Sequence, residues 1–259
     1  MEYGTYVPLI AYAVSCAGCA LGLVCTVRAR VGSRASRNFW LVMSAVSIGG
    51  TGIWGMHFVG MLGVTVHGSV VRWDVPLTIA SLVVAVGVVG LGMFLVGYGA
   101  QRLRTLLIAG LITGSGVAIM HYAGMAAMRV QGTIEYNLVI VALSVVVAVV
   151  AASAALWITQ NVHRPLAAAA AVPIMGLAVS GMHYTGMAAT TVVLNGNPVT
   201  TGAPAADFII PLMIGIIGSA VLMLFIVAMS PSEEEVLEDA QCRDLELRLA
   251  RSTIPEIGN

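Results

Sequence analysis

Three short strings of like sequence hold the residues best able to do chemistry: Met56-His57-Phe58-Val59-Gly60-Met61, Met120-His121-Tyr122-Ala123-Gly124-Met125 and Met182-His183-Tyr184-Thr185-Gly186-Met187. Three of the five histidines are spent here, each preceded by a Met and followed four residues later by another. A four-residue step on a helix returns to the same face, so each string offers an imidazole and a thioether side by side. Neutral imidazole suits copper, zinc and iron, while thioether sulfur is a soft ligand that favours Cu(I) over harder ions. The strings contain no carboxylate, and Asp74, Glu135 and Asp207 fall in or beside loops. That argues against a magnesium or calcium site and against a proton relay built from acids inside a bundle.

The elements that must position these groups are apolar runs. The 259-residue chain is 59% hydrophobic and 9% charged, against roughly 25% charged in ordinary soluble domains. This composition predicts an integral membrane protein embedded in the lipid bilayer. All basic residues are Arg, and the formal net charge of zero gives no reason to expect nucleic acid as a partner. With about 20 apolar residues needed per span, seven spans are predicted at 6–27, 38–62, 75–98, 105–128, 137–158, 166–189 and 207–229. The opening Met1-Glu2-Tyr3 has no basic region, so the first run is expected to be a retained span and not a cleaved signal.

Arg28, Arg30, Arg34 and Arg37 follow the first run, Arg102 and Arg104 the third, and Arg164 the fifth, whereas the other side's loops hold only Arg72 and Arg129. Positive-inside bias then predicts an outer N-terminus, a cytoplasmic C-terminus and strings at the outer ends of spans two, four and six. The string histidines lie 64 and 62 residues apart, which predicts an all-α, seven-transmembrane helix bundle built from three parallel helical-hairpin repeats plus a seventh helix. Residues 1–229 would form this membrane domain and 230–259 a short cytoplasmic helical tail. Ser230-Pro231-Ser232 with Glu233, Glu234 and Glu235 reads as the tail helix's start, supported by the Asp239–Arg243 and Asp244–Arg248 pairs. With the chain ending at Asn259, no catalytic cytoplasmic domain is expected.

Several features have an ordinary packing reading. Glycines crowd the residues before each string, and Gly110-x-x-x-Gly114 has the small-xxx-small form of close helix pairs. Cys16-Ala-Gly-Cys19 has metal-clip spacing but sits in an apolar run with Cys25, so it reads as packing, and no disulfide framework is expected with Cys242 in the tail. Phe58, Tyr122 and Tyr184 read as packing or anchoring groups and Trp54 and Trp73 as interfacial anchors. His67 reads as a solvated loop residue, and His163 as lying on the cytoplasmic side. Histidine in a membrane helix is commonly a hydrogen-bonding packing residue, whereas three at one depth with matched methionines form a candidate site.

Met-His-Tyr-Thr, present literally at Met182 to Thr185, identifies the chain as resembling the MHYT family of bacterial membrane sensor domains over about residues 5–230. The resemblance includes three copies, the hairpin period and the seven-span topology. It implies a sensory role and a copper centre near the outer face, held by motif residues and able to detect oxygen, carbon monoxide or nitric oxide. Carried over by position, the metal ligands are His57, His121, His183, Met56, Met61, Met120, Met125, Met182 and Met187. Phe58-Val59 and Tyr122-Ala123 depart from the full string, which puts roles for Tyr and Thr in doubt and leaves the His and Met set whole.

The sequence thus predicts a non-enzymatic copper-binding membrane sensor that relays ligand or redox state through its last helix to a cytoplasmic signalling protein in trans, with a homo-oligomer left open. The rival is copper uptake or delivery. A carrier needs ligands at successive depths, and spans two, four and six begin without a second His/Met cluster. A redox enzyme would need a nucleophile, base or cofactor motif that the sequence does not offer.

Overall fold

The computed structural model describes residues 2–31, 33–99, 102–162, 165–194, 199, 201–231, 235, 238, 241–243 and 245–246. Among the described residues seven helical spans are long and apolar enough to cross a membrane, and the chain is a multi-pass membrane protein. They comprise α1 (Val7–Arg28), a composite second span, α4 (Val75–Tyr98), α5 (Leu103–Ala127), α6 (Leu138–Asn161), α7 (Pro165–Ala188) and α8 (Ala205–Met229). The second span joins α2 (Arg34–Ala45), a π-helical segment (Val46–Gly55) and α3 (Met56–Leu62). Asp74 and Asn137 cap the starts of α4 and α6 with side-chain oxygens on the first free amides.

Six spans close a ring in chain order: α1 on the second span, that span on α4, then α5, α6, α7 and back to α1. Each consecutive pair is one hairpin, and the second helix of each carries a string. The leftover α8 leans on α1 and the π segment from outside the ring. Burial follows this plan, since 72% of the second span's apolar window is buried but only 17% in α6 and α8. The rest of those two helices presents Ile, Leu and Val to lipid.

Small residues set the helix spacings. A side chain at Gly18 would enter the Gly52 backbone, and one at Gly114 would enter Val149. Ser47 and Ser44 donate from the second span to the Gly18 and Gly22 carbonyls of α1. The π turn was not legible in the sequence. It coincides with Gly49, Gly50, Gly52 and Gly55, where missing Cβ atoms let the segment widen while pressed against α1 and α4.

Beyond the strings, short strands cover one end of the ring: β1 (Glu2–Tyr3) pairs with β2 (Val64–Thr65), β3 (Arg72–Trp73) with β4 (Met128–Arg129) and β7 (Ala203–Pro204), and β5 (Gly132–Tyr136) with β6 (Thr190–Leu194). This cover corrects one expectation. Trp73 is fully buried, stacked on Phe208 with centroids 5.0 Å apart, and Trp54 donates to Ser81 Oγ inside the core; neither is an interfacial anchor. Arg129 bonds Asp74 at 2.8 Å across the cover and holds that carboxyl below the usual carboxylate range, helped by the Leu77 amide.

At the opposite end arginines cap helix C-termini, where the last carbonyls lack partners. Arg30 donates to the Thr159 and Val162 carbonyls of α6, Arg37 to Gly97 of α4, and Arg28 to Ser230 after α8. Cys19 and Cys25 are buried packing residues, and a Cβ at Gly176 would press on Cys16 Sγ. His67 is exposed in a turn. His163, Arg164 and most of the tail, including Asp239 and Asp244, lie outside the described residues.

Candidate metal centre

The three strings end at one level of the ring, and α3, α5 and α7 touch one another there. His57, His121 and His183 meet at its axis, each 1% exposed. Ring centroids are 4.8, 5.0 and 5.2 Å apart, with ring planes crossed at 76°, 83° and 84°. His57 Nδ1 stands 3.0 Å from His183 Nδ1 and 3.1 Å from His121 Nδ1. Three rings from three hairpins thus turn the same nitrogen inward.

Each glycine of a string opens space for a histidine of another. A Cβ on Gly60 would lie 2.7 Å from His183 Nε2. Cβ atoms on Gly124 and Gly186 would sit still closer to Nε2 of His57 and His121. The interlock is cyclic: string one receives the imidazole of string three, string two that of string one, and string three that of string two. These glycines were missed in the sequence reading, although the constant His-x-x-Gly spacing was the available signal.

The chemistry of this donor set follows from counting. A neutral imidazole presents either N–H or a lone pair at Nδ1, so among three facing nitrogens at least two like groups oppose each other in every tautomer combination. A cation at the axis removes the conflict, because three lone pairs then share one acceptor. Imidazole–metal bonds of about 2.0–2.1 Å in a trigonal array need nitrogens about 3.5 Å apart, so the observed spacing fits an ion after a few tenths of an ångström of opening. The Nε2 atoms are buried with no hydrogen-bond partner, at a typical cost of about 1–3 kcal/mol each. His57, His121 and His183 are also the cluster of His, Cys, Asp or Glu that could hold an ion among the described residues.

All six string methionines are buried at 3% exposure or less. Met182 also lines an apolar cavity beneath the histidines. The string aromatics divide. Phe58 joins Trp54, Trp73 and Phe208 in an apolar cluster, whereas Tyr122 bonds Ser144 at 2.7 Å. A Phe suits this site, which is enclosed by the rings of Trp54, Trp73 and Phe208.

Comparison with known proteins places these strings in a recognised repeat. The model of the MHYT repeat, described as a bacterial signalling protein N-terminal repeat, matches three times, at residues 50–109, 114–172 and 176–237. The chain is 41% identical over 155 residues to the bifunctional diguanylate cyclase/cyclic di-GMP phosphodiesterase MucR of Pseudomonas aeruginosa, covering 58% of the chain and 22% of that protein. It is 35% identical over 202 residues to the cyclic di-GMP phosphodiesterase NbdA of the same organism, covering 74% and 25%. The signaling protein YkoW of Bacillus subtilis is 28% identical over 204 residues, covering 74% and 24%. The chain therefore spans about a quarter of the length of the curated relatives it matches. No solved structure matches.

Proposed function

Since the chain belongs to the MHYT family of bacterial signalling repeats, we propose that this membrane signalling protein is a sensor whose detecting element is a copper ion held by Nδ1 of His57, His121 and His183. The observation that carries this reading is the convergence of three buried Nδ1 atoms from three hairpins, that of His57 lying 3.0 Å from His183 and 3.1 Å from His121. The buried methionines supply soft thioether ligands or an apolar shell around the ion, which favours Cu(I). When bound, the ion would supply an open coordination position for a diatomic gas such as oxygen, carbon monoxide or nitric oxide. The arginine-rich end faces the cytoplasm on this reading, and the strand cover faces outward.

The chain's own part is to hold three neutral rings in a dry site and to couple them to output. His57 is the second residue after the π segment, whose Thr51 reaches Ser219 of α8 at 3.5 Å, and Phe58 packs on Phe208 at the start of α8. A change in ring spacing is thus felt by α8, the last span, which leads to the tail and a signalling partner. Named relatives include enzymes of cyclic di-GMP turnover, which suggests that nucleotide's metabolism as the downstream readout; no reaction is assigned to this chain. The test is carbon monoxide added to Cu(I)-loaded protein. A C–O infrared band that vanishes in the His57→Ala/His121→Ala/His183→Ala variant is expected. A band of equal intensity in that variant would overturn the assignment.

A further inference from the structure

Every span of the ring contributes to one apolar cavity of about 50 Å³ below the histidines, and among the described residues α8 adds nothing to its walls. Ile53, Val117 and Val179 line it, and each stands four residues before a string histidine, about one helical turn inward. The cavity therefore lies inside the ring directly beneath the triad, on the side away from the strand cover. Its opening is owed chiefly to α6, which presents Ala148, Ala151, Ala152 and Ala155 where larger side chains would fill the space.

The walls decide what the space can hold. Among the described residues lining it, only Thr113 and Thr159 carry a side-chain oxygen, and both hydroxyls donate to backbone carbonyls, those of Val88 and Leu156. A buried water needs two to four polar partners, so water is poorly held here, and an ion would lose its hydration without gaining ligands. The volume exceeds the roughly 30 Å³ share of one water but is about a third of the roughly 150 Å³ cavity that takes benzene. That suits a neutral molecule of two heavy atoms and is too short for a lipid chain. We propose that this chamber binds one molecule of a small apolar gas beneath the triad, and that the gas reaches the triad through it. Transfer of an apolar solute out of water is favourable, so the chamber fills from the membrane side. The chamber's role as a route rests on the copper reading above; its occupancy does not.

Xenon, an apolar atom of similar bulk, is the probe for occupancy. Crystals of the full chain, stripped of metal and pressurised with xenon, are expected to show an anomalous peak between Val117, Ala152 and Val179. No peak there overturns the proposal, whatever metal the histidines hold. The route is read in solution. Ala152→Leu fills the chamber from a helix without a string, so it is expected to leave copper content unchanged and to slow carbon monoxide association with the Cu(I)-loaded chain several-fold after flash photolysis. Where that variant does not run as a single species, Ala155→Leu fills the same space. Unslowed association in a folded variant whose xenon peak is gone overturns the route. Xenon in the chamber of a chain whose histidines bind no copper would instead sink the copper centre and leave the gas site standing.

Discussion

A glycine three residues after each histidine is what allows the imidazoles to meet. Gly60 faces His183, Gly124 faces His57 and Gly186 faces His121, so a methyl group at any one must move a ring. Gly124→Ala is therefore expected to weaken copper binding by about 10–100-fold, the range typical of residues that orient ligands, while the protein stays folded. Competition against a Cu(I) chelator reads this directly, and unaltered affinity would contradict the interlock. The His and Met residues were legible from type and spacing, and the convergence of the rings was not, since equal depth does not fix azimuth around a helix. The glycines were overlooked because small residues before each string already had a packing explanation. Trp54 and Trp73 misled for a related reason: tryptophan near the end of an apolar run reads as an interfacial belt, whereas Trp54 is buried against Ser81 of α4 and Trp73 stacks on Phe208 of α8.

Among the elements, the spans could be read closely because each is a long apolar run bounded by polar residues. The strand cover could not, because β1 to β4 and β7 are two residues long and take their hydrogen bonds from partners distant in sequence. Their fastening is electrostatic in part. Since Asp74 has a lowered folded-state pKa, its contribution is present above the ordinary carboxylate value of about 3.9 and is lost as pH falls through the lower folded value. Wild-type melting temperature should thus fall on acidification below about pH 4, and Asp74→Asn should be less stable at neutral pH and lack this acid-dependent component. Parallel melting curves of the two from pH 7 to 3 check the assignment. Helix spacing makes a separate prediction. Gly114 presses on Val149, whereas a Cβ at Gly87 meets nothing within 4 Å. Gly114→Leu should destabilise by about 1–3 kcal/mol or more through overpacking, and Gly87→Leu should leave the detergent-solubilised melting temperature nearly unchanged.

For the whole molecule, three hairpins closed into a ring give a pseudo-threefold axis with one histidine from each repeat on it, and α8 outside the symmetry is free to differ. That division suits the proposed sensor, in which the ring would build the site and the odd helix would report on it. An ion bound only by the folded ring must stabilise it, by about 2.7 kcal/mol when free ion exceeds the dissociation constant a hundredfold. Copper should raise the melting temperature of the wild-type chain and leave the triple histidine variant's histidine-dependent increment at zero. The most direct test is the copper, zinc and iron content of protein purified without added chelator, beside His57→Ala/His121→Ala/His183→Ala. Histidine-dependent copper near one per chain, absent from the folded variant, is the predicted result. Equal copper in both proteins, or no metal in either, would contradict the centre and leave the three histidines as packing groups.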